Sequence, residues 1–189
     1  MKKLSNIFTE EEIASLEKEI GKAEEQNVHG GIAPLGRLEI NRFHTPQEIG
    51  NKVLNLVEAI YGKPVILRSV SCVIYSSEYG QPNLPPHFDG DKSDLIVDLQ
   101  ISSNTDWGIG IDLEVFPMED NSALIFNPNT NIHWRPIKNF KDGEYVKMLF
   151  LRFSNKEKET DYSYARKSQD DPIFKKVNKY RNEIQGLSH

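Results

Sequence analysis

Between Val65 and Phe153 the chain is a series of apolar runs of four to nine residues, each closed by Asn, Asp, Gly or Pro. The runs are Val65 to Val70, Cys72 to Tyr75, Leu95 to Ile101, Gly110 to Phe116, Ala123 to Phe126, Ile132 to Ile137 and Tyr145 to Phe153. No helical pattern alternates with them, and parallel strands need a crossover of a dozen residues or more, usually a helix. The pattern therefore argues against a parallel α/β sheet and predicts several short strands folded into two layers, as in a jelly roll.

The residues around this block read differently. Thr9-Glu10-Glu11-Glu12 is a capping box followed by Ile13, Leu16 and Ile20, a helix running toward Glu25 and stopped by Asn27 and Gly30-Gly31. Thr45-Pro46-Gln47-Glu48 starts a second, with Ile49, Val53, Leu56, Val57 and Ile60 as its apolar stripe and Gly62-Lys63-Pro64 as its end. A third helical pattern, from Pro172 to Gln185, spaces Ile173, Val177, Tyr180 and Ile184 for packing. The expectation is one domain of the α+β class, mainly β: helical support over 1–63, a β core over 64–154 and a helical extension over 155–189. At 189 residues and 38% hydrophobic content, such a chain can bury a core.

Charge and cysteine usage narrow the setting. A net charge of −5 gives no overall field for nucleic acid. Arg166, Lys167, Lys175, Lys176, Lys179 and Arg181 alternate with acids and aromatics, the pattern of a solvated helix face. Cys72 is alone in an apolar run, which predicts core filling and agrees with a reducing compartment. No segment reaches the ~20 apolar residues of a membrane span, and no apolar core follows Met1-Lys2-Lys3-Leu4. The expectation is a soluble cytoplasmic protein.

The residues that carry chemistry are His87-Phe88-Asp89, fed by the rigid loop Gly80 to Pro86, and His133. In extended backbone, residues i and i+2 point the same way, so His87 and Asp89 form a two-pronged clamp while Phe88 faces away. His133 lies 133 − 89 = 44 positions on, far enough for intervening strands to return it to the same place. Two imidazoles and one carboxylate are a ligand set for divalent iron that leaves coordination positions open for other molecules.

With its order and surrounding strands, this motif resembles the Fe(II)/2-oxoglutarate-dependent dioxygenases, in particular the prolyl-hydroxylase-like branch, over about Val65 to Phe153. The resemblance implies a double-stranded β-helix with His87, Asp89 and His133 as iron ligands. It also implies 2-oxoglutarate as cosubstrate, ascorbate as an accessory reductant, and hydroxylation coupled to release of succinate and CO2. Asn121-Ser122-Ala123 looks like the family's Gly-Ser-Ala segment, with Asn121 where glycine is more usual; Asn tolerates the same left-handed backbone. Similar enzymes hold the far carboxylate of 2-oxoglutarate with a cation on the strand after the distal histidine. Lys147 is the choice here, sharing a face with Leu149, Leu151 and Phe153, whereas Arg152 has the opposite parity and is expected to point away. Arg135, on the same face as His133, is the alternative. Tyr75 matches a tyrosine that hydrogen-bonds the cosubstrate, with Tyr79 as its alternate; Asn127 and Trp134 are further candidates to line the pocket.

Other readings stay open. A cupin-like metalloprotein could use the same ligands without 2-oxoglutarate, and a non-catalytic β-sandwich binding module would use both histidines structurally. Nucleobase demethylation by a related dioxygenase expects a basic groove and an arginine-rich final strand, which Val146 to Arg152 lacks. The expected partner is a peptidyl, amino-acid or small-metabolite substrate. The loops around 30–43, 75–86 and 90–94 carry no recognisable code, though Asp89, Asp91 and Asp94 suit either a cationic substrate or a solvated loop.

Overall fold

A computed structural model describes residues 1–26, 32–33, 36–82, 84–89, 93–156 and 172–184. Asn27, Gly30 and Gly31 of the expected helix stop, Asp91 of the acidic cluster, and Arg166 and Lys167 of the basic tail lie outside the described residues. In chain order the elements are β1 (Lys2–Ser5), α1 (Glu10–Gln26), β2 (Ile32–Ala33), β3 (Arg37–Asn41), α2 (Gln47–Tyr61), β4 (Val65–Ser76) and β5 (Leu95–Ser103). There follow β6 (Ile109–Ile111), β7 (Glu114–Phe116), β8 (Ser122–Phe126), β9 (His133–Trp134), β10 (Tyr145–Asn155) and α3 (Pro172–Ile184).

The helices begin where side chains can satisfy their first amides. Thr9 Oγ1 accepts from the Glu12 amide at 3.3 Å, and Glu12 Oε2 accepts from the Thr9 amide at 2.8 Å, so the capping box of α1 is formed. α2 ends at Gly62, whose φ of 70° places its amide on the Glu58 carbonyl. Its buried stripe is Ile49, Val53 and Val57; Ile60, expected in the same stripe, is exposed at the last turn.

The strands form two sheets, all of whose pairs are antiparallel. The larger has the order β1-β8-β5-β10-β4-β3-β2 and the smaller β7-β6-β9, with His87 added beside β9 by one isolated bridge to His133. This is a double-stranded β-helix, the jelly roll expected. The first sixty residues are not helical throughout, because β1 pairs with β8 and β3 with β4, extending both edges of the larger sheet. The two runs from Val65 to Tyr75 are one twelve-residue strand. The run from Gly110 to Phe116 folds back on itself as β6 and β7 around Asp112, whose φ is 51°.

Both faces of the larger sheet are buried, and alternate residues divide between two cores. Cys72, Ile74, Leu99, Ile101, Leu149, Leu151 and Phe153 pack against Leu16 and Ile20 of α1 and Ile49, Val53 and Val57 of α2. Val73, Tyr75, Ile96, Leu124, Phe126, Val146, Met148 and Phe150 face the barrel interior with Ile109 and Ile111. Two-sided burial explains why these strands read as continuous apolar runs. Cys72 sits under the helices, and burial pushes its thiol up to about 12, so it stays protonated and fills core as expected.

Asn121 has the left-handed backbone (φ 57°) that its sequence context requires, and its side chain also brackets Phe8. Oδ1 accepts from the Phe8 amide and Nδ2 donates to the Phe8 carbonyl, both at 2.8 Å. In the smaller sheet, Gly110 lies against the Trp134 indole so closely that a Cβ would overlap the ring. Gly110→Ala should therefore cost about 1–3 kcal/mol, the range of core overpacking, read as a lowered midpoint of thermal unfolding.

Candidate metal centre

His87, Asp89 and His133 meet at one end of the barrel. Their ligand atoms all lie within 4.8 Å of one another, the one such group among the described residues. Backbone pairing brings the strands together: the His87 amide donates to the His133 carbonyl at 3.1 Å and the His133 amide donates back at 3.0 Å. The Asp89 amide is held by the Pro128 carbonyl at 3.1 Å. Asp89 Oδ1 lies 3.2 Å from His133 Nε2 and 3.5 Å from His87 Nε2, and the two rings are 4.1 Å apart. The other ring nitrogens face carbonyls, His87 Nδ1 that of Pro85 at 2.8 Å and His133 Nδ1 that of Asn131 at 3.3 Å. These contacts orient both rings so that each Nε2 faces Asp89, the position from which it could bind a metal.

Exposure across the trio is graded. The His133 and Asp89 side chains are 7% and 12% exposed and His87 is 32% exposed, so the site opens to solvent on the His87 side. Burial alone would raise the Asp89 carboxyl. The hydrogen bonds from His133 and His87, with the charges of His133 and Arg152, outweigh it and hold the group far below the usual carboxylate range. Asp89 Oδ2 is buried with no hydrogen-bond partner, its nearest cation being Arg152 Nε at 3.7 Å. A buried carboxylate oxygen left unbonded is costly, and a divalent cation held by the three side chains would relieve that cost. The donor set fits a metal ion.

The cations are arranged differently from the sequence expectation. Lys147 and Arg152 lie on opposite faces of β10, as expected, but the faces are reversed. Lys147 shares its face with Leu149 and Leu151, which is the helix side, and its Nζ lies 3.6 Å from Glu17 Oε2 and 3.7 Å from Glu24 Oε2 on α1. Arg152, of opposite parity, points into the barrel and reaches Asp89. Parity separates two faces without saying which encloses the site.

Arg135 is fully buried on the barrel side, two residues past His133. Its Nη2 donates to Asp98 Oδ1 and Oδ2 at 3.2 and 3.3 Å, and its Nη1 to the Gly108 carbonyl at 3.2 Å. Its guanidinium lies 5.1 Å from the Trp107 ring and 5.9 Å from that of Tyr75. Burial raises the Asp98 carboxyl, and the Arg135 charge opposes the rise. Tyr75 is buried in the same interior and accepts from Arg37 Nη1 at 3.2 Å. Tyr79 lies toward the helices, donating to Glu24 at 2.9 Å. Trp134 faces away from the barrel, with Ile132 and Val177, and Asn127 caps its own turn by accepting from the Asn129 amide. Asp94 is buried and accepts from the Asn155 amide at 2.8 Å, so it is no solvated loop acid.

Sequence reasoning passed over Asp98 and Arg37. Asp98 had a signal, as the one charged residue inside the apolar run Leu95 to Ile101. Arg37 had none, because its approach to Tyr75 depends on β3 joining β4.

No protein-family model matches the chain, and no curated protein matches it in sequence. Solved structures do. EvdMO1 superposes with a TM-score of 0.60 at 13% identity, over 80% of this chain and 46% of its own, so the chain spans just under half of that protein. A prolyl hydroxylase from Trichoplax adhaerens, in complex with a hypoxia inducible factor peptide fragment, gives 0.57 at 11%, over 80% of this chain and 82% of its own. HygX from Streptomyces hygroscopicus, with nickel and 2-oxoglutarate bound, gives 0.58 at 9%, over 82% of each chain. The chain has the fold of the Fe(II)/2-oxoglutarate-dependent oxygenases. At these identities the likeness is one of fold, and the prolyl hydroxylase stands no nearer than the others. No helix among the described residues is long and apolar enough to cross a membrane.

Replacing Arg135 by Met should leave Asp98 buried without its counter-charge and destabilise the protein by about 3–5 kcal/mol. Asp98→Leu in the same chain should recover most of the loss, both read by urea denaturation.

Proposed function

We propose that this protein is an Fe(II)- and 2-oxoglutarate-dependent oxygenase that hydroxylates a peptidyl, amino-acid or small-metabolite substrate. The observation that carries the reading is the convergence of His87, Asp89 and His133 at the end of a double-stranded β-helix, with Asp89 Oδ2 buried and lacking a hydrogen bond. In this reading the three side chains hold one Fe(II). When bound, the metal supplies the redox chemistry by which dioxygen converts 2-oxoglutarate to succinate and CO2 and delivers one oxygen atom to substrate.

The chain's own residues supply the rest. His133 and His87, with a smaller contribution from Arg152, keep Asp89 ionised, as a metal ligand must be. Arg135 takes the far carboxylate of the cosubstrate, supported by its burial in the barrel two residues past His133 and by its forked donors, which would then be shared with Asp98 and the Gly108 carbonyl. Tyr75 assists, since a hydroxyl that accepts from Arg37 still has its own proton to donate. Phe126, whose ring lies 5.2 Å from that of His133, and Phe150 keep the interior dry, which strengthens these charge interactions. Lys147, engaged with Glu17 and Glu24, has no part in the reading.

Protein loaded anaerobically with iron should form succinate from 2-oxoglutarate when air is admitted, and His133→Ala should form none. Binding of neither iron nor 2-oxoglutarate would sink the proposal, and iron binding without 2-oxoglutarate consumption would favour cupin-like chemistry. Arg135→Lys keeps the charge but loses the fork, and should raise KM for 2-oxoglutarate about tenfold, as expected for a lost charge-assisted hydrogen bond of ~1.5–3 kcal/mol. Lys147→Met should leave that KM unchanged.

A further inference from the structure

We infer that α3 is a clamp that sets the geometry of the metal trio from the outer side of the two segments that carry it; this rests on the metal-binding reading above. Those segments have little sheet of their own. His133 lies on a two-residue strand, and His87 joins it through a single bridge. The backbone hydrogen bonds tying the segment before Asp89 to that of His133 are the reciprocal His87–His133 pair and one from the Arg135 amide to the Leu84 carbonyl at 2.9 Å. Beyond them, among the described residues, β9 pairs with Gly110 and Ile111 of β6, and the Asp112 amide donates to the adjoining Ile132 carbonyl at 2.7 Å.

The alternation that turns the ligands inward turns Phe88 and Trp134 outward, and both meet α3. The Phe88 and Phe174 rings are 6.5 Å apart, and Trp134 and Tyr180 are 6.3 Å apart in a T-shaped contact. Val177, between Phe174 and Tyr180 on the same helix face, is fully buried with Ile132 and Trp134. On its other side Trp134 is closed by Gly110, and its Nε1 donates to the Asp112 carbonyl at 3.3 Å. The residue between His87 and Asp89 and the one following His133 are thus both seated on one helix. A turn of either segment about its own axis would move its ligands and would have to displace α3. Phe174, Val177 and Tyr180 touch no ligand of the trio and are positioning residues.

Cobalt(II) titration of the metal-free full chain tests this without turnover, reading affinity and the visible absorption of the bound ion well below the unfolding temperature. Phe174→Ala and Tyr180→Ala should bind cobalt about tenfold more weakly, the low end for losing support behind metal ligands, with an altered spectrum. Phe174→Leu and Tyr180→Phe should restore both, and Lys179→Ala, on the exposed face of α3, should change neither. If Phe174→Ala does not fold, Tyr180→Ala and Phe174→Leu still decide the matter. Variants that unfold at lower temperature yet keep wild-type affinity and spectrum would overturn the inference. Failure of the wild-type chain to bind cobalt would overturn the metal-centre reading and this inference with it.

Discussion

The strand β10 is buried on both faces, and the rest of the molecule depends on how its residues alternate. Leu149, Leu151 and Phe153 anchor the helices to the larger sheet, while Val146, Met148 and Phe150 wall the barrel. A one-residue slip would exchange the two sets, bringing Lys147 into the apolar interior and removing Arg152 from Asp89. Its neighbours prevent the slip. β10 pairs with β4 along its whole length and with β5 along most of it, so both registers would have to break together.

Inside the barrel the charges come in pairs. Arg135 faces Asp98 in full burial, and Arg152 faces Asp89 at the end of the barrel that opens to solvent. Buried pairs of this kind contribute little net stability, since desolvation offsets most of the attraction, while removing one partner is severe. Asp89 Oδ2 is buried without a hydrogen bond, with Arg152 Nε 3.7 Å away.

Much of the fold was legible in the residues. The capping box at Thr9, the glycine ending α2 and the strand runs from Val65 onward are local signals, and local hydrogen bonding and side-chain direction decide them. The pairing of His87 with Asp89 was legible for the same reason: i and i+2 on extended backbone share a side whatever else the chain does. β1 and β3 were missed because each is short and polar in part, becoming a strand only by pairing with β8 or β4.

The sequence by itself determined the period of each segment, the identity of the trio and the parity that separates Lys147 from Arg152. Tertiary structure decided which parity faces the barrel, because a strand covered on both sides has two apolar faces that its own residues cannot rank. It also decided that Arg135 meets Asp98, that Arg37 reaches Tyr75, and that α3 packs on Trp134 and Phe88. Each of these contacts joins residues far apart in the chain, and the packing of two layers, which no single segment encodes, is what brings them within reach.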